Sequence, residues 1–275
     1  MGGTRSCDLE IASGVANFMN ELLCQTEDSQ APPDSRLPGG MFGRSSGHLS
    51  TPCQVILSLS RGSSVLLHRK DAGRGVPTEI PSGPVWVDRS GISAGQAVKR
   101  APLFGPDRAV YAYPALHYPK WRIEFPSLTH EFHSGAFGEG FTLTGIDEET
   151  ACIGDLIRIG SCRLQLSEPG QPDEWDYAGP RKRIVETAKR KNRTGWYYRI
   201  IDPGWVTAGD TAVLLKRPNR SWSVTRFSQL LSVADPTRKD LAELGTLEGL
   251  ALDWQGAARK ASKGLEQSLE LFRGR

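Results

Sequence analysis

Residues 168 to 176, EPGQPDEWD, set four carboxylates, Glu168, Asp173, Glu174 and Asp176, around a Pro-Gly turn beside Trp175. A carboxyl group held in a partly apolar pocket among other acids has a raised pKa and can exchange protons near neutrality, which makes Asp173 the leading candidate for a general acid or base. The plain alternative is a solvated acidic turn. If the segment is extended, successive side chains alternate, so only one of Asp173, Glu174 and Asp176 need point inward. A second group lies in AYPALHYPKW, residues 112 to 121, where His117 stands between Tyr113 and Tyr118. There an imidazole could relay a proton while phenols bind an oxyanion, although the block reads equally well as helix packing. His130 and His133 are three residues apart, half a metal site if helical, but no third ligand accompanies them and a surface loop is the simpler reading. Glu139 sits between two glycines, where the backbone can approach a ligand or the carboxylate can cap a turn. The basic runs at 181 to 183 and 189 to 193 form a charged face, from which Arg181 could bind a substrate carboxylate or pair with Asp173.

Short apolar runs separated by Gly, Pro and Asp must position these groups. They are residues 53 to 60, 64 to 70, 84 to 89, 141 to 146, 156 to 168 and 210 to 217, rich in Val, Ile and Leu and partly alternating. That pattern predicts a mainly antiparallel sheet or barrel. Two helical insertions are expected, one around Ala109 to Trp121 and one over residues 179 to 192, where Ile184, Val185 and Ala188 face inward among basic neighbours. Beyond Pro218 leucines recur at helical spacing over 223 to 233, 236 to 247 and 248 to 272, a compact helical tail. Near the start, residues 8 to 24 have the spacing of an amphipathic helix, and the polar Pro/Gly/Ser-rich stretch from 25 to 52 reads as a linker. The expected organisation is therefore 1–52 as helix and linker, 53–218 as the β domain and 219–275 as the tail.

Composition narrows the function classes. The chain has 275 residues, 38% of them hydrophobic, enough for one sizeable core. With 34 basic and 31 acidic residues, the formal charge of +3 does not argue for nucleic acid or an anionic membrane, so no nucleic-acid partner is expected. Five widely spaced cysteines without a CxxC pair indicate neither a disulfide framework nor a thiolate metal site, and a reducing, cytoplasmic setting is the expectation. No run approaches the roughly 18 apolar residues a membrane span needs. Residues 1 to 6, MGGTRS, match the loose N-myristoylation pattern, with Cys7 a candidate second acyl site, although so short a pattern often matches by chance and an ordinary disordered start is the simpler reading.

Three blocks resemble the MOSC family, named for the molybdenum cofactor sulfurase C-terminal domain, in its bacterial type with a three-helix tail. They are GPDRAVYAYPALHYPKW (105 to 121), GAFGEGFTLTGIDEETACIGDLIRIG (135 to 160) and RTGWYYRIIDPGWVTAGD (193 to 210). The resemblance extends from about Cys53 to Trp254. It implies a MOSC-like β-barrel with packed helices, mainly β, followed by a small helical tail domain. It also implies binding of a molybdenum cofactor and reduction of N-hydroxylated compounds. The family's pocket pattern, however, uses Gly-Asp-x-Gln, a His before Gly-Gly-Pro-Asp, Asn in Gly-Glu-Asn, and Arg and Cys in Pro-Arg-x-Pro-Cys. Here Ala94 precedes Gly95-Gln96, Phe104 precedes Gly105-Pro106-Asp107, and Gly140 follows Gly138-Glu139; Gly170 and Asp173 stand in the last motif. A thiolate is a soft ligand and a carboxylate a hard one, and losing the arginine removes a bidentate phosphate fork. Added acids repel a phosphate by roughly 3 kcal/mol per pair of charges ~5 Å apart at an effective dielectric near 20.

The leading expectation is thus a MOSC-fold enzyme repurposed for cofactor-independent acid/base chemistry in its barrel pocket: isomerisation, elimination or cyclisation of a small organic metabolite. Asp173, His117 and Tyr113 are its candidate catalytic residues, and Glu139, Phe141, Trp175, Arg181 and Arg193 its candidate substrate contacts. No cofactor and no metal ligand are expected. Two other readings stand beside it: a molybdenum-cofactor-dependent reductase, with Asp173 oxygen as the metal ligand, and a non-enzymatic binding or scaffold protein.

Overall fold

The protein is described by a computed structural model. The described residues are 54–59 (backbone only), 83–93, 105–172, 175, 181–232 and 236–273. The expected amphipathic helix at 8 to 24, the linker, the acylation motif, the run at 64 to 70 and Asp173 with its neighbours Glu174 and Asp176 lie outside them.

Seven strands pair in an unbroken ring. They are β1 (Gln54–Leu59), β4 (Val110–Pro114), β5 (Phe141–Thr144), β6 (Leu156–Ile159), β7 (Cys162–Pro169), β8 (Trp196–Asp202) and β10 (Thr211–Lys216), in the order β1-β10-β6-β7-β8-β4-β5. A separate small sheet joins β2 (Val85–Asp88) to β3 (Gly91–Ser93) and β9 (Gly204–Val206). The helices are α1 (His117–Glu124), α2 (Lys182–Arg190), α3 (Val224–Ser232), α4 (Arg238–Leu244) and α5 (Leu252–Arg273). Together they hold more residues than the strands, so the expectation of a mainly β chain gives way to a mixed α/β fold with C-terminal helices. Among the described residues no helix is long and apolar enough to cross a membrane.

All pairings in the ring are antiparallel except β4 with β5. Parallel neighbours require a long crossover. Here it is made of α1, a 3₁₀ helix at Pro126–Glu131 and the loop to Gly140. That crossover carries His117 and Glu139, so the one parallel pairing determines where both candidates sit.

The segment expected to be helical around Ala109 to Trp121 is instead a strand followed by a helix. Its alternation explains why. Val110 and Ala112 belong to the apolar cluster that fills the ring, whereas Tyr111 and Tyr113 belong to an aromatic cluster on the outer face. β8 divides in the same way, with Trp196, Tyr198 and Ile200 inside and Tyr197 outside. Two buried faces favour the pleated period of two over a helical one, whatever the local propensity. The continuous run at 156 to 168 is likewise two strands, paired antiparallel across the Gly160-Ser161 turn.

α2 forms where expected, burying Ile184, Val185 and Ala188 and leaving its basic residues outward. It ends at Asn192, whose φ of 51° is the left-handed conformation that commonly stops a helix. The tail is docked on the ring by one continuous apolar cluster that includes Ile157, Leu164, Phe227, Leu241, Leu244 and Trp254. Within it the Trp254 indole N–H donates to Glu168 Oε2 at 2.5 Å, and Arg108 pairs with the other oxygen of that carboxylate. Replacing Trp254 by Phe keeps an aromatic ring but leaves a buried carboxylate one donor short. We expect a loss of about 2 to 4 kcal/mol, read from the urea midpoint, with a far-UV helical signal near that of the native chain at low denaturant.

Candidate functional site

The aromatic cluster outside the ring gathers several sequence candidates. The Tyr113 ring lies 4.4 Å from Phe137, 5.5 Å from His117 and 6.3 Å from Trp175, centroid to centroid. Its hydroxyl accepts from Trp121 Nε1 at 2.7 Å and approaches the Arg193 carbonyl at 3.4 Å. Tyr113 therefore sits behind His117, enclosed, with its hydroxyl occupied. Burial raises its phenol and those of Tyr111 and Tyr118 well above the usual tyrosine range, so these groups are neutral donors rather than bases.

Glu139 is fully enclosed and acts as a hub for donors. It accepts from Gly135 N at 2.6 Å, Phe137 N at 3.1 Å, Thr142 Oγ1 at 3.1 Å and the Tyr118 hydroxyl. Of the two uses the sequence allows for this residue, the geometry realises the turn cap. Phe141 is enclosed in the apolar filling of the ring. Trp175 packs at a tilt against Phe137, 4.7 Å between ring centroids. Arg181 turns away toward Glu131 Oε1 at 2.6 Å on the outer surface. His130 is exposed and His133 bonds the neighbouring Ser134 carbonyl, and among the described residues no three His, Cys, Asp or Glu side chains cluster as a metal site.

The ring itself is packed with apolar side chains, so the expected pocket inside the barrel is not where the described residues open a space. A polar cleft of about 180 Å³ lies outside it, between α1, the turn from β5 to β6, the end of α2 and α3. His117, Glu148 and Arg193 are its buried lining residues; Lys120, Glu149, Lys191 and Gln229 are exposed around them. At its base His117 Nε2 meets Glu148 Oε2 at 2.7 Å, while Glu148 Oε1 accepts from Gly195 N at 2.8 Å. His117 is 5% exposed and Glu148 2%. His117 Nδ1 has no hydrogen-bond partner.

Arg193 reaches the cleft from just after α2, its backbone N–H bonded to Ala188 O at 2.9 Å. Its guanidinium lies 4.8 Å above the Trp121 ring and donates to Glu124 at 2.9 and 3.3 Å. Lys191 reaches the same carboxylate at 2.6 Å. Partial burial would raise the Glu124 carboxyl, but these two cations outweigh it and hold the group below its usual range. Sequence reading singled out His117 and Arg193 but missed Glu148, Lys120 and Lys191 as a set. The only local trace was the acidic triplet at 147 to 149, 31 positions from His117 and tied to it by no motif spacing.

The MOSC domain family model matches residues 99–213. Residues 99–213 thus carry a MOSC domain. A protein named Reductase from Gibberella moniliformis is 32% identical over 167 residues, 58% of this chain and 29% of that one. YflK of Bacillus subtilis is 39% identical over 132 residues, 48% of this chain and 58% of that one. The chain thus spans from about a third to three-fifths of the length of the curated relatives it matches. The crystal structure of YiiM from Geobacillus stearothermophilus superposes over 76% of this chain and 99% of that one, with a TM-score of 0.61 at 21% identity, a likeness of fold.

The resemblance implies a molybdenum cofactor, and the residues present do not fit it. A Cβ at Gly170, the position of the family's arginine, would stand 2.0 Å from the Thr194 carbonyl oxygen and 2.8 Å from the Tyr111 ring. No side chain is accommodated there on this backbone, and the phosphate fork is excluded with it. The neighbouring carboxylate, Glu139, is already saturated by its own loop and by Tyr118 and Thr142.

Burial raises the Glu139 carboxyl, and its hydrogen bonds pull it back only in part. A folded-state pKa above the unfolded one means that the folded chain binds more protons in that window, so stability falls as pH rises from about 4 through the raised value and is constant above it. Urea titrations of wild type and Glu139→Gln across that range should show the wild type losing stability relative to the variant as pH rises. A difference independent of pH would contradict the burial argument.

Proposed function

We propose that this chain is a MOSC-fold enzyme that performs cofactor-independent acid/base chemistry on a small organic molecule, an isomerisation, elimination or ring closure, in the cleft outside the barrel. The observation that carries the reading is the enclosed His117–Glu148 pair at the base of that cleft. If Nε2–H donates to Glu148, the lone pair on Nδ1 is the proton acceptor, and Glu148 steadies both the tautomer and the imidazolium formed on proton uptake. Gly195 N holds the far oxygen of Glu148, so the carboxylate cannot rotate without losing a buried hydrogen bond. Nδ1 is closed to water in the free protein, so the cleft must open locally for a substrate to reach it. Tyr113 packs edge-on against the imidazole and acts as a positioning residue. Asp173 remains the second acid of the proposal, outside the described residues.

The test is turnover. Screening small hydroxy, oxo and amino acids in deuterated water by NMR should reveal exchange or conversion by the wild type. His117→Ala should lower kcat/KM by roughly 10² to 10⁴-fold. Glu148→Gln should lower kcat more than KM while the chain still unfolds cooperatively. Equal turnover by both variants removes the assigned roles, and unchanged turnover by Asp173→Ala removes that residue alone.

A second reading draws on the relative named Reductase. In that account the chain keeps the redox chemistry of the family and an aspartate oxygen takes the metal. Metal analysis of protein made in a host that synthesises the cofactor decides between them: about one molybdenum per chain favours the reductase and ends the acid/base proposal.

A further inference from the structure

The cleft is lined by equal numbers of opposite charges, and they are segregated. Lys120 on α1 and Lys191 and Arg193 after α2 supply three cations; Asp147, Glu148 and Glu149, on the turn between β5 and β6, supply three carboxylates. Some of these are already satisfied. Lys191 and Arg193 share Glu124, Glu148 holds His117 and Gly195 N, and Asp147 Oδ1 is taken by the backbone N–H groups of 149 and 150 and by Thr150 Oγ1. Two members are left over, one of each sign. Among the described residues Lys120 makes no ion pair or hydrogen bond, and the Glu149 carboxylate makes none either. They border the same cleft without forming a salt bridge, so more than 4 Å separates their charged atoms. His117, which lines the same cleft, is nearly enclosed and has one ring nitrogen unpartnered.

A dianion such as a phosphate monoester would gain from one wall and be repelled by the other. A metal cation meets the reverse problem. An apolar ligand would strip water from the exposed charges of the cleft, Lys120 and Glu149 among them, without pairing either. The ligand that satisfies both walls carries a negative group at one end and a positive group at the other.

We propose that the cleft binds a small zwitterion, its carboxylate directed to Lys120 and the Lys191–Arg193 wall and its protonated amine directed to Glu149 and Asp147. This names the substrate class for the cleft and rests on reading the cleft as the site of chemistry. The two charged ends would hold the middle of the ligand over His117, where a proton can be moved.

Isothermal titration of the full chain at low salt with 4-aminobutanoate and 6-aminohexanoate, and with butanoate and butylammonium as single-charge probes, tests it. At least one amino acid should bind tenfold or more tighter than either single-charge probe. Lys120→Glu and Glu149→Lys should each lower that affinity tenfold or more. His117→Ala should retain the preference, because the imidazole is not a charge clamp. Equal affinities, a preference for one single-charge probe, or no binding by any compound at millimolar concentration overturns the proposal. Turnover left unchanged by His117→Ala, with the zwitterion preference intact, overturns the catalytic reading instead, so the two failures are told apart.

Discussion

One buried carboxylate, Glu148, ties together segments that are far apart in the chain. Its side chain accepts from His117 at the start of α1 and from the backbone of Gly195 at the start of β8, while its own carbonyl accepts from Thr225 N in α3 at 2.8 Å. A carboxylate so enclosed needs donors on both oxygens, because removing a charge from water without partners costs several kcal/mol. The helix of the crossover, a ring strand and the tail must therefore all be in register before the cleft exists. The site is a product of assembly.

The same device recurs at the other buried acids. Glu168 receives Trp254 from α5 and Arg108 from the turn before β4. Asp155 receives both arms of the Arg217 guanidinium and the Cys152 amide, although burial still leaves its carboxyl raised. Glu139 fastens its own loop. These are hydrogen-bonded charges of which either partner alone would be destabilising, so each enforces one docking of the elements it joins. The close passage of backbone at 170 and 195 belongs to the same scheme. Gly170 N donates to Gly195 O at 2.9 Å, and a Cβ at Gly195 would meet the Ala112 carbonyl oxygen at 2.4 Å, which no other residue type avoids.

That passage has a consequence for function. The family resemblance puts an arginine at 170, and the contact of Gly170 with the Thr194 carbonyl and the Tyr111 ring removes the space for one. Tyr111, Tyr113, Tyr197, Phe137 and Trp175 then close up as a continuous aromatic layer between the ring and α1 and α2. Among the described residues a polar cleft lies beside His117, lined by Lys120 of α1, Lys191 and Arg193 after α2, and the acidic turn.

The amino-acid sequence by itself determined the resemblance to MOSC domains, the tail helices, the apolar face of α2, and most of the ring strands, because all of these are carried by local periodicity or by long runs of matching residues. Tyr113 and His117 were legible as chemistry-bearing types near one another, and Glu139 as a turn residue between glycines. Tertiary structure alone decided that Val110–Pro114 is a strand, since only the presence of an apolar filling on one side and an aromatic layer on the other makes its alternation meaningful. It alone paired His117 with Glu148, turned Arg181 toward Glu131 and put the cleft outside the barrel. The reason is range: a helix or strand is written in neighbours two to four positions apart, whereas a buried charge finds its partner through the whole course of the chain, and nothing in the spacing of 31 residues announces the meeting.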